Sequence, residues 1–413
     1  MRRRWLGGLL GLLLACPGAK PGSGPEVSPD AVESGRSQAV APSPPPRRAL
    51  WVLAEGSYRA LESRDRIERL VEAARSAGTS DLFVQVYRAG RSWFASSHAD
   101  DRPHDRARAA VGEDSLRLLV RRAHARGLRV HAWFNVLSLA NNRDAPLLRE
   151  LGSGAVLVDQ RGRSLLDYPG GKVPRPDREW LRMGTPGIWL DPTQPEVARA
   201  LGQLVDDLAR AAPDLDGLHL DFIRYPIALP IAPGSRFGVG LDFGYGAASR
   251  AAFERESGRS FAPGDAWDDF RRRRVTQLVR HLRQHLPAGW ELSAAVLPWA
   301  DRAYQIGMQD WRRWLEEGLL DFAVAMAYSR DDRQLRYLAH ELVGGVGGER
   351  TWLGLGAWLF AKAPERLAEQ TRIAAAASPS GLAFFSWDAL ADQPESLRAL
   401  ESGAGGARRA AAR

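Results

Sequence analysis

Residues 217–223 read GLHLDFI, a short apolar run that is interrupted by one histidine and one aspartate. A run of this length and composition is typical of a strand buried in a parallel sheet. A helical pattern with apolar residues at three-to-four spacing occupies residues 195–212 before it, and another occupies residues 270–286 after it. The segment is therefore expected to be the strand of a repeating strand–helix unit.

The same unit recurs along the chain from residue 49 onward. Seven more β-rich apolar runs are found, at residues 49–56, 82–90, 128–135, 290–298, 321–329, 351–358 and 381–389. The remaining helical patterns lie at residues 63–77, 114–126, 309–319, 331–343, 364–377 and 394–402. Strict alternation predicts a parallel sheet covered by helices, and eight units are what an α/β fold of the (β/α)8 TIM-barrel type requires. A doubly wound open sheet is the alternative.

The lengths of the connections indicate which end of the barrel is functional. Helix-to-strand connections are short, as at residues 125–127, whereas the connections after strands 3 and 4 are long and occupy residues 136–194 and 224–269. Barrel enzymes build their active sites from the loops that follow the strands. We therefore expect the site at the carboxyl ends of the strands.

The N-terminus indicates export. Three arginines at residues 2–4 precede an apolar run at residues 5–15 that is too short to span a bilayer. The run ends in LLAC, and Cys16, the only cysteine of the chain, is placed as in the lipobox of bacterial lipoproteins, which this segment resembles. We predict a lipoprotein signal at residues 1–16 with lipidation of Cys16; an ordinary signal peptide is the alternative.

The sequence divides into further segments after the signal. Residues 17–48 are rich in Pro, Ser, Gly and Ala and are predicted to be a tether. The barrel is predicted over residues 49–402, and a disordered Arg/Ala tail over residues 403–413. We expect a lipid-anchored protein of the bacterial cell envelope that faces the periplasm or the cell surface. Pro17 stands where an aspartate would favour inner-membrane retention, so the outer membrane is favoured.

Charge and composition exclude several classes of function. The net charge of +8 is concentrated in arginines near the two termini, and the predicted barrel is close to neutral, which argues against a nucleic-acid partner. A single cysteine in the signal segment excludes disulfides and argues against a thiol nucleophile or a cysteine-bound metal. Since no phosphate loop or dinucleotide fingerprint is found, no cofactor is predicted.

Polar and aromatic residues accumulate where the predicted strands end. Aromatic rings stack on the faces of pyranose sugars, while carboxylates, amides and guanidinium groups bind sugar hydroxyls. We therefore predict a carbohydrate site at this face. The predicted substrate-binding residues are Glu55, Gln85, Tyr87, Arg88, Trp133, Asn135, His219, Arg224, Tyr225, Trp299, Tyr328, Trp358, Trp387 and Asp388.

Asp221 is the strongest candidate for a catalytic group. Its carboxylate lies inside an apolar strand, where burial is costly unless the group has partners or a chemical role. His219 lies two residues earlier and is expected on the same face of the strand. A salt bridge to Arg224 is the structural alternative to a catalytic role.

The segment DGLHLDFIRYP at residues 216–226 resembles the strand-4 motif DGIHLDYIRYP of the glycosyl-hydrolase-like family 10 proteins, with Phe222 for the usual tyrosine. The resemblance implies a TIM barrel and glycoside hydrolase activity, with Asp221 as the motif aspartate. It also implies kinship with envelope lipoproteins, some of which are implicated in cutting the glycan strands of peptidoglycan. Further matches, in order along the chain, lie at residues 49–57, 81–90, 129–135, 189–197 and 309–329.

Glycoside hydrolysis normally uses two carboxyl groups, about 5–5.5 Å apart in retaining enzymes and about 6.5–9.5 Å apart in inverting enzymes. Asp301, on the connection after strand 5, is the first choice for the second group. Asp388 and Glu55 are the reserves. Glu291 is in strand 5 but at its amino end, which is the wrong end of the barrel.

Two other functions remain as alternatives. A lipoprotein that binds glycan without cleaving it would need no second carboxylate. A metal-dependent polysaccharide deacetylase would need an Asp/His/His set, but His124 and His131 fall on a helix and at a strand start. No metal site is therefore predicted.

Replacing Cys16 by serine is expected to block lipid attachment and leave the protein unanchored or unprocessed, with the barrel still folded. Membrane fractionation and intact-mass measurement of the wild type and of Cys16→Ser would test this. A wild-type protein that fractionates as soluble and carries no lipid would contradict the lipoprotein assignment.

Overall fold

A computed structural model describes residues 46–231, 240–398 and 400. Eight parallel strands form its centre, and the first strand pairs with both the second and the last, so the sheet closes into a barrel. The strands are β1 (Arg47–Val52), β2 (Asp81–Arg88), β3 (Arg129–Asn135), β4 (Gly217–Asp221), β5 (Glu291–Val296), β6 (Phe322–Met326), β7 (Thr351–Gly356) and β8 (Gly381–Phe385). This confirms the predicted (β/α)8 TIM barrel and excludes the open sheet.

Helices surround the barrel between the strands. They are α1 (Arg64–Ser76), α2 (Arg102–Val111), α3 (Ser115–His124), α4 (Pro146–Leu151), α5 (Pro195–Ala211), α6 (Ala247–Ser257), α7 (Asp265–Gln284), α8 (Ala300–Gln305), α9 (Trp311–Glu316), α10 (Asp332–Gly344), α11 (Pro364–Ala376) and α12 (Trp387–Leu390). Every predicted helix between residues 63 and 377 is present, and residues 394–398 are helical as well. Within the described ranges, none of these helices combines the length and apolar character needed to cross a bilayer.

The boundary between the predicted tether and the barrel needs correction. The tether was predicted to reach residue 48, but β1 begins at Arg47. The Arg47 guanidinium pairs with Asp81 and lies 3.0 Å from Glu291, so the sequence Arg47-Arg48 is part of the folded domain. Cys16, the signal segment, nearly all of the tether and the C-terminal tail lie outside the described residues.

The amino end of the barrel is closed by a network of charged side chains. Arg129 lies 3.2 Å from both Asp81 and Glu291, which Arg47 also contacts. Burial opposes the ionisation of Asp81, but a hydrogen bond and charge from His131, together with Arg47, outweigh it and lower the pKa of Asp81. Glu291 therefore serves this network, at the end opposite the predicted site.

The middle of the barrel is filled with side chains. His219 stacks on Phe83, with ring centroids 4.2 Å apart. The Trp51 indole donates a hydrogen bond of 3.0 Å to His219 Nε2, and Ser293 Oγ lies 2.9 Å from His219 Nδ1. This layer separates the amino end of the barrel from the carboxyl ends of the strands, where barrel enzymes build their active sites.

The two long connections lie at the carboxyl ends, as predicted, and they pair with each other. Leu181–Met183, from the connection after β3, forms an antiparallel ribbon with Ala228–Pro230, from the connection after β4. A second short ribbon joins Ser138–Ala140 to Ile188–Trp189 within the first connection. Through Trp189, which contacts Phe222, the second ribbon flanks the carboxyl end of β4.

Candidate active site

Asp221 is the last residue of β4 and lies at the barrel mouth. Its side chain accepts two hydrogen bonds, from the Phe222 backbone N–H at 2.7 Å and from the Trp133 indole Nε1 at 3.2 Å. Phe222 has a φ of 54°, in the left-handed region that an aromatic residue seldom adopts. This strained turn accompanies the short bond to the carboxylate of the preceding residue, as is common at functional sites.

The environment of Asp221 favours its protonated form. Only 9% of the residue is exposed, and burial raises the pKa of the Asp221 carboxyl to about 6. The bond from the Phe222 N–H, the charge of Arg224 and the bond from Trp133 act in the opposite direction and only partly offset burial. A carboxyl group that titrates near neutrality can hold a proton until the reaction requires it.

Arg224 supplies the positive charge nearest to Asp221 without forming an ion pair with it in the described part of the chain. Its guanidinium lies over the ring of Trp189, 5.2 Å from the centroid, and 5.5 Å from that of Phe222. It donates a hydrogen bond of 3.0 Å to the backbone carbonyl of Tyr225. The salt bridge considered as a structural role for Asp221 is therefore not found.

Aromatic and amide side chains lie around the carboxylate at the mouth of the barrel. The Phe385 ring lies 5.9 Å from Tyr328 and 6.1 Å from Trp133. Burial, followed by the charge of Asp221, raises the pKa of Tyr328, so Tyr328 remains a neutral phenol. Gln85 donates a hydrogen bond of 3.2 Å to Asn135, the residue that pairs with Asp221 across the sheet. The mouth thus combines one acid, two amides and aromatic faces.

The structure places four of the predicted substrate-binding residues elsewhere. His219 is fully buried in the layer below Asp221, because residues two apart on a strand lie at successive depths of the barrel. Tyr87 faces outward and stacks on Phe134, since the β2–β3 register shifts between Gln85 and Tyr87. Tyr225 is buried beneath Arg271, and Trp387 is buried against Tyr58. These assignments are corrected to structural roles.

Two other predicted tryptophans are accessible. Trp358 is 49% exposed, in a short 3-10 helix directly after β7. Trp299 is half-buried before α8 and lies against Tyr337 of α10, with centroids 6.2 Å apart. Both side chains are accessible to a ligand. Trp133 also lies at the mouth, where its indole donates a hydrogen bond to Asp221.

The candidate second carboxylates differ in their surroundings. Asp301 is exposed in the first turn of α8. Glu55 is held in ion pairs with Arg88 at 2.6 Å and Arg91 at 2.9 Å. Asp388 accepts a hydrogen bond of 2.9 Å from the Tyr58 backbone N–H. Glu55 and Asp388 therefore have structural partners that Asp301 lacks among the described residues.

Two features of this face were not predicted from the sequence. A cavity of about 420 Å³ opens between the connections after β2 and β3. It is lined by Ala89, Arg91, Asp100, Arg102, Ala140, Asn141, Asn142 and Asp144. Trp180 is 69% exposed beside the ribbon of the two long connections. Both lie in irregular segments, where no periodicity indicates which way a side chain points.

Among residues 46–231, 240–398 and 400, no group of three or more His, Cys, Asp or Glu side chains converges as a metal centre would require. The chemistry that the described mouth offers is that of a carboxyl group surrounded by hydrogen-bond donors and aromatic rings.

Comparison with known proteins relates the chain to glycosidases. The profile of the glycosyl hydrolase-like 10 family matches residues 46–336. Glycosyl hydrolase DigH of Escherichia coli K12 is 26% identical over 315 residues, which cover 72% of this chain but only 64% of that relative. DigH of Escherichia coli O6:H1 is 26% identical over 324 residues, with the same coverage.

A likeness to a solved structure supports the fold alone. The catalytic domain of β-amylase from Paenibacillus polymyxa superposes with a TM-score of 0.54 at 9% sequence identity. The match covers 86% of this chain and 97% of that domain.

Replacing Asp221 by asparagine is expected to stabilise the protein increasingly between pH 4 and 7. The unfolded carboxyl ionises near pH 4 but the folded one near pH 6, so the wild type alone loses folding free energy as the pH rises through this window. The difference should reach about 3 kcal/mol by pH 7. Urea unfolding of both proteins across this range measures it.

Glu113→Gln is the control. Hydrogen bonds from Arg121 and Arg64 lower the pKa of that exposed carboxyl. The stability of Glu113→Gln relative to the wild type should therefore fall, not rise, as the pH increases. A stability difference between Asp221→Asn and wild type that does not change with pH would contradict the shifted pKa of Asp221.

Proposed function

This chain belongs to the glycosyl hydrolase-like 10 family, and on that premise we propose that it is a glycoside hydrolase that cleaves the glycan strands of peptidoglycan. In this proposal Asp221 protonates the oxygen of the leaving sugar. The protein acts in the bacterial envelope, anchored by a lipid on Cys16. Since the chain spans 64% of the length of its DigH relatives, its whole activity is proposed on the observations below.

The observation that carries the proposal is the position of the Asp221 carboxyl, which is buried at the mouth of the barrel and held by two hydrogen-bond donors. Burial raises the pKa of this carboxyl to about 6, so a fraction of the protein still carries the proton close to neutral pH. After proton transfer the new carboxylate keeps the hydrogen bonds from the Phe222 N–H and the Trp133 indole. The site can therefore both donate the proton and stabilise the resulting anion, as a general acid must.

Asp301 is proposed as the second carboxylate. It follows β5, and β5 is the neighbour of β4, so both acids lie on adjacent units at the carboxyl ends of the strands. Its exposure suits a base that activates a water molecule, the role of the second carboxylate in inverting enzymes.

We infer that further sugar units of the glycan bind in the cavity between the connections after β2 and β3. Its lining of amides, carboxylates and guanidinium groups matches the donors and acceptors of sugar hydroxyls. Peptidoglycan is the polysaccharide that an anchored envelope protein would meet, and the predicted lipobox supports that location.

A glycan-binding protein without catalysis is the second candidate. It is favoured by one observation: among the described residues no other carboxylate contacts Asp221. Turnover separates the two candidates, because both bind glycan but only the hydrolase releases products.

Purified glycan strands, with and without their peptides, are the test substrates, and mass spectrometry identifies the products. The wild type should release shorter glycans, and Asp221→Asn should lose about 10³-fold or more in kcat, since removal of a central catalytic group has effects of this size. Glu113→Gln is the surface control and should retain full activity. Wild-type protein that binds strands but releases nothing would favour the binding alternative, and full activity of Asp221→Asn would contradict the role of Asp221.

The exposed and buried tryptophans should respond differently to truncation. Trp358→Ala should lower the affinity for long glycans by about 5- to 150-fold, if stacking on a sugar has the energy of about 1–3 kcal/mol known for stacking of aromatic side chains on bases. Because Trp358 is exposed, the variant should lose little stability. The loss of affinity should appear mainly in KM if the ring binds ground and transition states alike. Trp387→Ala should instead cost about 3–5 kcal/mol of stability.

Glycan titration and thermal melting of both variants measure these effects. Unchanged glycan affinity in a stable Trp358→Ala protein would contradict a sugar platform at that position.

A further inference from the structure

Two histidines lie at the carboxyl end of helix α7, on the side of the molecule away from the mouth: His281 in the last turn and His285 directly after the last helical residue. His281 and His285 are four residues apart, so their side chains are neighbours on the helix, and their ring centroids lie 4.6 Å apart. The helix continues into the connection that leads to the amino end of β5. These histidines are therefore near the end of the barrel opposite Asp221.

Both imidazoles face Gly202 of the neighbouring helix α5. A Cβ atom at position 202 would lie 2.6 Å from Nε2 of His285 and 2.8 Å from Nε2 of His281. Glycine in a helix interior costs about 1 kcal/mol relative to alanine. The absence of a side chain at Gly202 is thus what allows two ring nitrogens to approach the same point.

A carboxylate fixes the orientation of one ring. His285 Nδ1 lies 2.8 Å from Asp206 Oδ1, and Asp206 is one helical turn after Gly202 on α5. An Nδ1–H that donates to a carboxylate leaves the Nε2 lone pair free, as in the Asp–His pairs that orient metal ligands.

The second ring presents an unpaired nitrogen. His281 Nε2 is buried, and no group among the described residues lies at hydrogen-bonding distance and angle to it. The backbone of Ala198 is a polar neighbour of this ring. A buried acceptor without a donor is costly.

We propose that His281 and His285 bind a divalent transition-metal ion, of the Zn²⁺, Ni²⁺ or Cu²⁺ class, through their Nε2 atoms, with Asp206 as the orienting residue. Imidazole pairs four residues apart on a helix suit these ions, whereas Mg²⁺ and Ca²⁺ prefer oxygen ligands. Water completes the coordination, since 26% of the His285 side chain is exposed and gives access. The ion lies at the carboxyl end of α7, facing Gly202 of α5, and takes no part in the chemistry at Asp221.

Calorimetric titration of the full-length chain with Zn²⁺ at pH 7.5 tests the proposal. One equivalent should bind the wild type and raise its melting temperature, because an ion that binds only the folded state stabilises it. His281→Gln and His285→Gln should each abolish stoichiometric binding. Asp206→Asn should weaken it about 10- to 100-fold, the usual cost of losing an orienting partner. Gly202→Ala should also weaken it, because the new methyl group occupies the position that both Nε2 atoms face.

His124→Gln is the matched control, because His124 lies 2.9 Å from Asp216 in a similar pair but has no second imidazole beside it. It should leave binding unchanged. Melting curves without metal establish that each variant is folded. Absence of Zn²⁺, Ni²⁺ and Cu²⁺ binding by the wild type, or unchanged binding by the His281→Gln/His285→Gln double variant, would overturn the proposal. Glycan turnover should be the same with and without the ion, so this result is independent of the proposed function.

Discussion

The buried carboxyl group of Asp221 is the feature on which the arrangement of the mouth depends. A carboxylate at the end of an apolar strand must either be neutralised or be given donors. Here the donors are an indole and a backbone N–H, and the nearest cation is held over two aromatic rings instead of in contact with the acid. The layer of His219, Trp51 and Phe83 fills the barrel below the acid and contributes to its burial.

The two ends of the barrel treat charge in opposite ways. At the amino end, Asp81 and Glu291 are each matched by Arg47 and Arg129, and burial of Asp81 is offset by these partners and by His131. At the carboxyl end, the charge of Arg224 only partly offsets the burial of Asp221. Paired charges stabilise a fold, while an imperfectly compensated one retains the capacity to exchange a proton. The contrast supports the proposal that the carboxyl end is the reactive one.

The alternation of apolar runs and helical patterns was sufficient to predict all eight strands, because backbone pairing and burial act along the whole chain. Which strand residues face the mouth was harder to predict. The register shift after Gln85 turns Tyr87 outward, and no sequence pattern announces it. His219 shares its face with Asp221 but lies one layer deeper, and depth is a property of the closed barrel. The cavity at Asn141 and Asp144 depends on how two irregular connections meet, which local sequence does not specify.

The closure of the sheet also constrains when the protein can fold. β1 begins at Arg47 and pairs with β8, which ends at Phe385. The second neighbour of β1 is therefore synthesised only when nearly the whole chain has been made. The ribbon of Leu181–Met183 with Ala228–Pro230 likewise completes one long connection only after the other has been made. Contacts between residues so distant in sequence form slowly, and an unpaired strand edge remains exposed until they do. The barrel therefore cannot close before its last strand has been synthesised, and until then the free edge of β1 must be protected from pairing with another chain.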